Sequence, residues 1–198
     1  MSIDPTQARI AEILAAEAAA IAAIPVGPAF SQAVDMLVAC RGRVLTTGMG
    51  KAGHIARKMA ATLCSTALPA SFLHPGEALH GDLGLVSPGD LLIAYSNSGR
   101  TREVLEVIEL GRRVGLSTVI GVCSQPDSPL VQACDLVLEM GPIVEPCRLG
   151  LTPTASIAVM LAIGDALALT VMERREIGAT DFGLRHHGGY LGEKARGS

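Results

Sequence analysis

Aromatic side chains are scarce in this chain: two Tyr, three Phe and no Trp among 198 residues. Stacking platforms of the kind that hold RNA or single strands are missing. No basic block compensates, the net charge being −3, so nucleic acid is not an expected partner. With 49% hydrophobic residues, the core has to be built from Ala, Leu, Val and Ile, which suits helices packed closely on a sheet. Cysteine is sparse and odd in number. Cys40, Cys64, Cys123, Cys134 and Cys147 form no CxxC pair and no zinc spacing. Most sit in apolar runs, where a free Cys acts as a small hydrophobe, and a reducing cytosol is the expected compartment. The N-terminus shows no Arg/Lys-led signal peptide. His74 and His80 lack a third ligand, so no metal is expected. One run invites a membrane reading: Ala155 to Met172 is strongly apolar with a single acid, Asp165, near its centre. An Asp there costs about 2.5–3.5 kcal/mol in a bilayer, and no second span follows. A buried core helix, or one at a subunit interface, is the expectation.

What is present is an alternation of strands and helices. Residues 5–24 read as an Ala-rich helix opened by Asp4-Pro5, and a second helix covers about 28–41 with Phe30, Val34, Leu37 and Val38 on one face. Strand Val44–Thr47 follows, then a helix to about Cys64, strand Ala70–Leu73 and a His- and Gly-rich loop from His74 to Gly84. Strand Leu91–Ala94, helix 101–114, strand Thr118–Cys123, a short helix near Ser128–Ala133 and strand Leu136–Leu138 come next. A Pro/Gly loop, 141–153, leads to the apolar helix 154–174, and a polar, glycine-rich tail closes the chain. Short connections between alternating elements predict an α/β fold, a three-layer α-β-α sandwich with a parallel sheet of about five strands. A single domain over 1–198 is expected: N-terminal helices about 5–41, a sheet–helix core about 42–174, and a tail about 175–198.

The chemistry gathers where strands hand over to helices. Leu91-Leu92-Ile93-Ala94 runs into Tyr95-Ser96-Asn97-Ser98-Gly99-Arg100-Thr101, followed by a helical pattern. Open α/β sheets bind ligands at such junctions, and free N–H groups with the helix dipole favour an anion there. Ser96, Ser98 and Thr101 add neutral donors suited to phosphate, more than helix capping requires. Earlier, Gly48-Met49-Gly50-Lys51-Ala52-Gly53 ends the first strand. It lacks the dinucleotide GxGxxG spacing and is not a Walker loop. Its glycines let the chain approach a ligand, and Lys51 brings a cation to a helix start, where the dipole disfavours one.

Taken together these residues resemble the sugar isomerase (SIS) domain family, with the arabinose 5-phosphate isomerase branch the nearer match, from about Ala33 to Gly192. The blocks in order are Gly48-Met49-Gly50-Lys51-Ala52-Gly53-His54-Ile55, His74-Pro75-Gly76-Glu77-Ala78-Leu79-His80-Gly81-Asp82-Leu83-Gly84 and Ser96-Asn97-Ser98-Gly99. Cys147-Arg148-Leu149-Gly150-Leu151-Thr152-Pro153-Thr154 and Gly164-Asp165-Ala166-Leu167-Ala168 complete them. The resemblance implies a flavodoxin-like, Rossmann-like fold. It also implies an active-site lysine at Lys51, functional glutamates at Glu103 and Glu145, and histidines at His80 and His186, the last in a tail that completes a neighbour's site. Gly48, Gly50, Ser96, Asn97, Ser98, Gly99 and Thr101 would form the substrate and phosphate grip. Three features depart from the family pattern: Arg100 stands where an acid is usual, His187 replaces a proline, and no paired CBS domains follow.

The implied activity is aldose–ketose isomerisation of a phosphosugar through an enediol, with D-ribulose 5-phosphate and D-arabinose 5-phosphate as the first pair. Isomerisation of a hexulose or tetrose phosphate is one alternative; a non-catalytic sugar-phosphate-binding regulatory domain is another. Such chemistry needs a base, an acid or cation and a phosphate grip, and no cofactor is expected. A cytoplasmic homotetramer is expected, with a phosphorylated sugar as partner and neither membrane nor nucleic acid.

Overall fold

The computed structural model describes residues 4–197. Strands β1 (Val44–Gly48), β2 (Ala70–Phe72), β3 (Leu91–Tyr95), β4 (Thr118–Cys123) and β5 (Leu136–Glu139) form one parallel sheet in the order β2-β1-β3-β4-β5. Val44 pairs with Leu91 and Gly48 with Tyr95, so β1 and β3 end level with each other. Alternate residues of β3 feed two cores. Leu91, Ile93 and Tyr95 join one cluster, Leu92 and Ala94 the other. This is the two-residue period of a strand in a sheet covered on both faces, which is why β3 reads as an unbroken apolar run. The expected three-layer sandwich is what forms.

The helices are α1 (Pro5–Ala22), α2 (Pro28–Ala39), α3 (Gly50–Ser65), α4 (Pro75–Ala78), α5 (Arg102–Arg113), α6 (Pro129–Ala133), α7 (Ala155–Arg174), α8 (Ala179–Arg185) and α9 (Gly189–Arg196). Asp4 caps α1, accepting the Thr6 amide at 2.9 Å ahead of Pro5. Helices α2, α3 and α7 supply the cluster that contains Tyr95, while α5 and α6 supply the other. By length and composition α7 could cross a membrane, yet it lies on the sheet with Val159, Met160, Ile163, Leu167 and Val171 in the core. Its acid, Asp165, meets Lys58 of α3 at the surface.

Two segments are more regular than the sequence suggests. The His74–Gly84 loop holds α4 and a 3-10 turn, Asp82–Leu85. Pro75 opens α4, and the His74 ring accepts the Glu77 amide at 3.4 Å. The tail folds into α8 and α9 rather than running free. Asp181 accepts the Gly178 amide at 3.2 Å, and the His186 ring stacks on Phe182 with centroids 3.9 Å apart.

Helix α3 sits close on β1. A Cβ built at Gly53 would stand 2.5 Å from the Gly48 carbonyl oxygen. Buried threonines anchor β1 further: Thr46 donates to the Ala56 carbonyl of α3 at 2.7 Å, and Thr47 to the Leu73 carbonyl just past β2 at 2.8 Å. Backbone cannot yield as a flexible side chain does, so Gly53→Ala is expected to destabilise the fold by about 1–3 kcal/mol. The shift of the denaturation midpoint measures it.

Candidate active site

The strand order reverses between β1 and β3, since β1 continues to β2 on one side and β3 to β4 on the other. That switch point is where open α/β sheets form ligand crevices. The turn entering α3 and the turn entering α5 line it, and the first turns of α7 close it. A cavity of about 270 Å³ results, walled by Lys51, Ser96, Ser98, Thr101, Ser156 and Met160 among others.

The serine turn forms a hydroxyl-lined cradle at the cavity. The Ser96 and Thr101 hydroxyls lie 2.8 Å apart, and Ser98 Oγ accepts the Arg100 amide at 3.2 Å. Gly99 has φ +61°, and a Cβ there would stand 2.0 Å from Ser128 Oγ, so only glycine fits this turn. Thr101 begins α5 but makes no side-chain capping bond. Among the described residues none accepts the amides of Asn97, Ser98 or Thr101. The hydroxyls are therefore not consumed by capping, and the end of α5 presents unmet N–H groups to the cavity. Asn97 also lines it, with a buried Oδ1 that has no partner.

Lys51, in the first turn of α3, is exposed on the cavity wall and takes part in no ion pair among the described residues. Gly48 ends β1 in the core, and Gly50 starts α3 at the surface.

Glu145 stands behind the α7 wall. Its Oε2 accepts the amides of Thr154 and Ala155 at 2.8 and 2.9 Å, and Oε1 accepts that of Ser156 at 3.2 Å. Burial works to raise its pKa. The Ser156 hydroxyl and the amides of Thr154, Ser156 and Ala155 outweigh burial and hold the carboxyl below its usual range. The hydroxyl lies beside the carboxylate without meeting the geometry of a full hydrogen bond. Arg9 of α1 donates to the next carbonyl, that of Pro146.

The remaining predicted residues lie farther out. Glu103 is half-buried in the first turn of α5, beside the cradle but not on the cavity wall. His80 is exposed after α4. His186 ends α8, its Nδ1 2.9 Å from the Phe182 carbonyl oxygen, and does not line the cavity. One chain thus gathers Lys51, Ser96, Asn97, Ser98 and Thr101, flanks them with Glu103 and Glu145, and leaves His80 and His186 outside.

Two polar lining residues escape a reading of the sequence as site residues. Tyr95 is fully buried with its ring at the cavity, its Oη has no partner, and burial followed by Asp165 pushes its pKa up. Ser156 is fully buried at the start of α7. A serine there reads as a cap, and nothing local reveals that a glutamate eleven residues earlier takes its amide.

A parallel sheet with a hydroxyl-lined turn and a lysine at its switch point defines an α/β domain with a polar crevice at the carboxyl ends of its strands. The chain belongs to the SIS domain family, whose model matches residues 36–170. It is 44% identical to arabinose 5-phosphate isomerase KdsD of Pseudomonas aeruginosa, over 85% of this chain and 52% of that protein. To the KdsD of Escherichia coli K12 it is 43% identical, over 92% and 56% respectively. The chain spans about half the length of the curated relatives it matches. A Bacteroides fragilis structure described as a putative phosphosugar isomerase involved in capsule formation superposes with a TM-score of 0.90 at 45% identity, covering 93% of this chain and 99% of that one. E. coli CFT073 c3406, solved in complex with A5P, gives 0.87 at 37% identity, covering 93% and 100%.

The loop after Glu145 holds a thiol with a lowered pKa. Cys147 Sγ accepts the amides of Leu151 and Thr152, each at 3.2 Å. The Thr152 amide and hydroxyl, then the Leu151 amide, bring its thiol down to about 7. Burial, with Asp135 nearby, pushes Cys134 up to about 12. Because the thiolate is the nucleophile, iodoacetamide at neutral pH is expected to label Cys147 ahead of Cys134. The Cys147 rate should rise with pH through about 7; peptide mapping against time and pH checks both.

Proposed function

We propose that this domain interconverts D-ribulose 5-phosphate and D-arabinose 5-phosphate through an enediol. The observation that carries the reading is the uncapped end of α5, with Ser96, Ser98 and Thr101 facing Lys51 across one cavity. The names of the relatives, and the A5P bound by the E. coli CFT073 neighbour, support the pentose phosphate. Arg100 is exposed beside the cradle, which favours keeping other phosphosugars in the assay panel, since a guanidinium adds a bidentate anion grip.

In this reading the serine turn, with Gly48, Gly50 and Gly99 shaping the backbone, holds the phosphate of the open-chain sugar. A base removes the proton beside the carbonyl. Lys51 stabilises the charge that develops on the enediolate oxygen. The proton returns to the neighbouring carbon, which turns ketose into aldose with no cofactor. The proton-handling groups are drawn from Glu103, Glu145, His80 and His186; positioned acid–base groups are worth about 10²–10⁴-fold.

The working unit is a homotetramer in the cytosol, and a neighbour's tail brings His186 to the cavity. Two observations support association. Helix α1 buries none of its residues and exposes Ile10, Leu14 and Ile21. Between α2 and α7 lies an apolar groove of about 260 Å³, lined by Ile24, Phe30, Val34, Ile163 and Leu167 among others.

An assay across pentose, hexose and tetrose phosphates in deuterated solvent tests the reading. Pentose 5-phosphate is expected to be preferred, with solvent deuterium entering at C2 and a shielded base returning part of the original proton; a product that never carries deuterium, together with near-normal turnover of Glu103→Gln and His186→Ala, refutes the enediol. Ser98→Ala is expected to weaken phosphosugar binding by about 1–3 kcal/mol while leaving thermal stability nearly unchanged, as calorimetry measures. Sedimentation is expected to give a tetramer, and a fully active monomer overturns that part.

A further inference from the structure

Of the groups offered for proton transfer, Glu145 is the one whose surroundings are fully specified. It accepts three amides, from Thr154, Ala155 and Ser156. A carboxylate has about four acceptor sites, so most of its basic capacity is spent within the fold. It does not line the cavity, whereas Ser156 does. Thr154, at the N-cap position of α7, makes no side-chain capping bond. A residue nine positions upstream thus supplies the cap that the helix's own N-cap omits. That helix then carries Val159, Met160, Ile163, Leu167 and Val171 into the core. The segment bearing Glu145 is tied at a second point by Arg9, through the Pro146 carbonyl.

We infer that Glu145 is a positioning residue. Its carboxylate fastens the site loop to the first turn of α7 and sets that turn, Ser156 included, as the wall of the substrate cleft, while the proton transfers belong to the other groups. This deepens the isomerase reading and rests on it for the identity of the substrate. The chemistry agrees with the geometry. A general base works best with a pKa near the working pH, and this carboxylate is held on the acid side of its ordinary range. A carboxylate that already accepts three N–H donors is a weakened base, and protonation of Oε2 would loosen the capping of α7. As a fixed anion it instead complements the positive end of that helix.

The test separates a clamp from a proton carrier with readings that need no turnover. Glu145→Gln keeps the shape but loses the charge and one acceptor atom. Under the proposal, hydrogen exchange at the amides of Thr154, Ala155 and Ser156 accelerates by about tenfold or more. Binding of D-arabinitol 5-phosphate, which has no carbonyl to isomerise, weakens by a similar factor, and KM rises in step. Binding of inorganic phosphate, held by the serine turn, is unchanged. The residual turnover still carries solvent deuterium into C2. A proton carrier gives the opposite pattern: protected amides, normal pentitol phosphate affinity, unchanged KM, and a fall in kcat of about 10²–10⁴-fold. That pattern overturns the proposal. Glu145→Asp keeps the charge on a shorter arm and serves the same measurements if Glu145→Gln does not fold. Wild-type protein that binds inorganic phosphate but not the pentitol phosphate would defeat the pentose phosphate reading, and the amide exchange would still decide the clamp.

Discussion

Five parallel strands leave all their carboxyl ends along one edge of the sheet, and every connection has to cross back over a face to begin the next strand. The rest of the molecule follows from that constraint. Because β2 lies on one side of β1 and β4 on the far side of β3, the two outgoing chains part above neighbouring strand ends. The gap they leave cannot be filled by either of their helices. It is lined instead by the first turns of α3, α5 and α7, which bring their N-terminal ends to one place.

Three convergent helix ends concentrate partial positive charge, and the chain treats the three differently. At α3 it adds a full cation, Lys51, against the dipole. At α5 it leaves the amides unmet and surrounds them with hydroxyls. At α7 it neutralises the end with Glu145. Positive partial charge is thus left open at the cradle and met by a carboxylate at the α7 wall. In the proposed reading the phosphate end of the sugar takes the first and its hydroxyl-bearing end lies toward the second.

Legibility from the sequence tracks how local each feature is. The apolar run of β3 and the hydroxyl turn after it are contiguous, so strand, turn and cradle could be read in order. Asp4-Pro5 marks the start of α1 for the same reason. The tail was legible only as polar and glycine-rich. Its first helix, α8, carries an Asp181 cap and a Phe182–His186 ring stack that composition does not show. Glu145 stood out as an acid in an otherwise uncharged loop, but its part in the fold was hidden, because its partners lie nine to eleven residues away across a Pro/Gly-rich segment. Ser156 was overlooked because a serine at a helix start has an ordinary explanation. His186 was named by resemblance to relatives, and in one chain it lies away from the cavity; periodicity carries no information about what a second copy contributes.

The shortage of aromatic residues has an optical consequence. With no Trp, the longest-wavelength ultraviolet absorption of the protein comes from two tyrosines. Tyr190 is on the surface of α9, in ordinary contact with water. Tyr95 is sealed beneath the cavity floor with its hydroxyl unmet. One ring thus stands at the cavity and the other in water, so the two tyrosine chromophores occupy opposite surroundings.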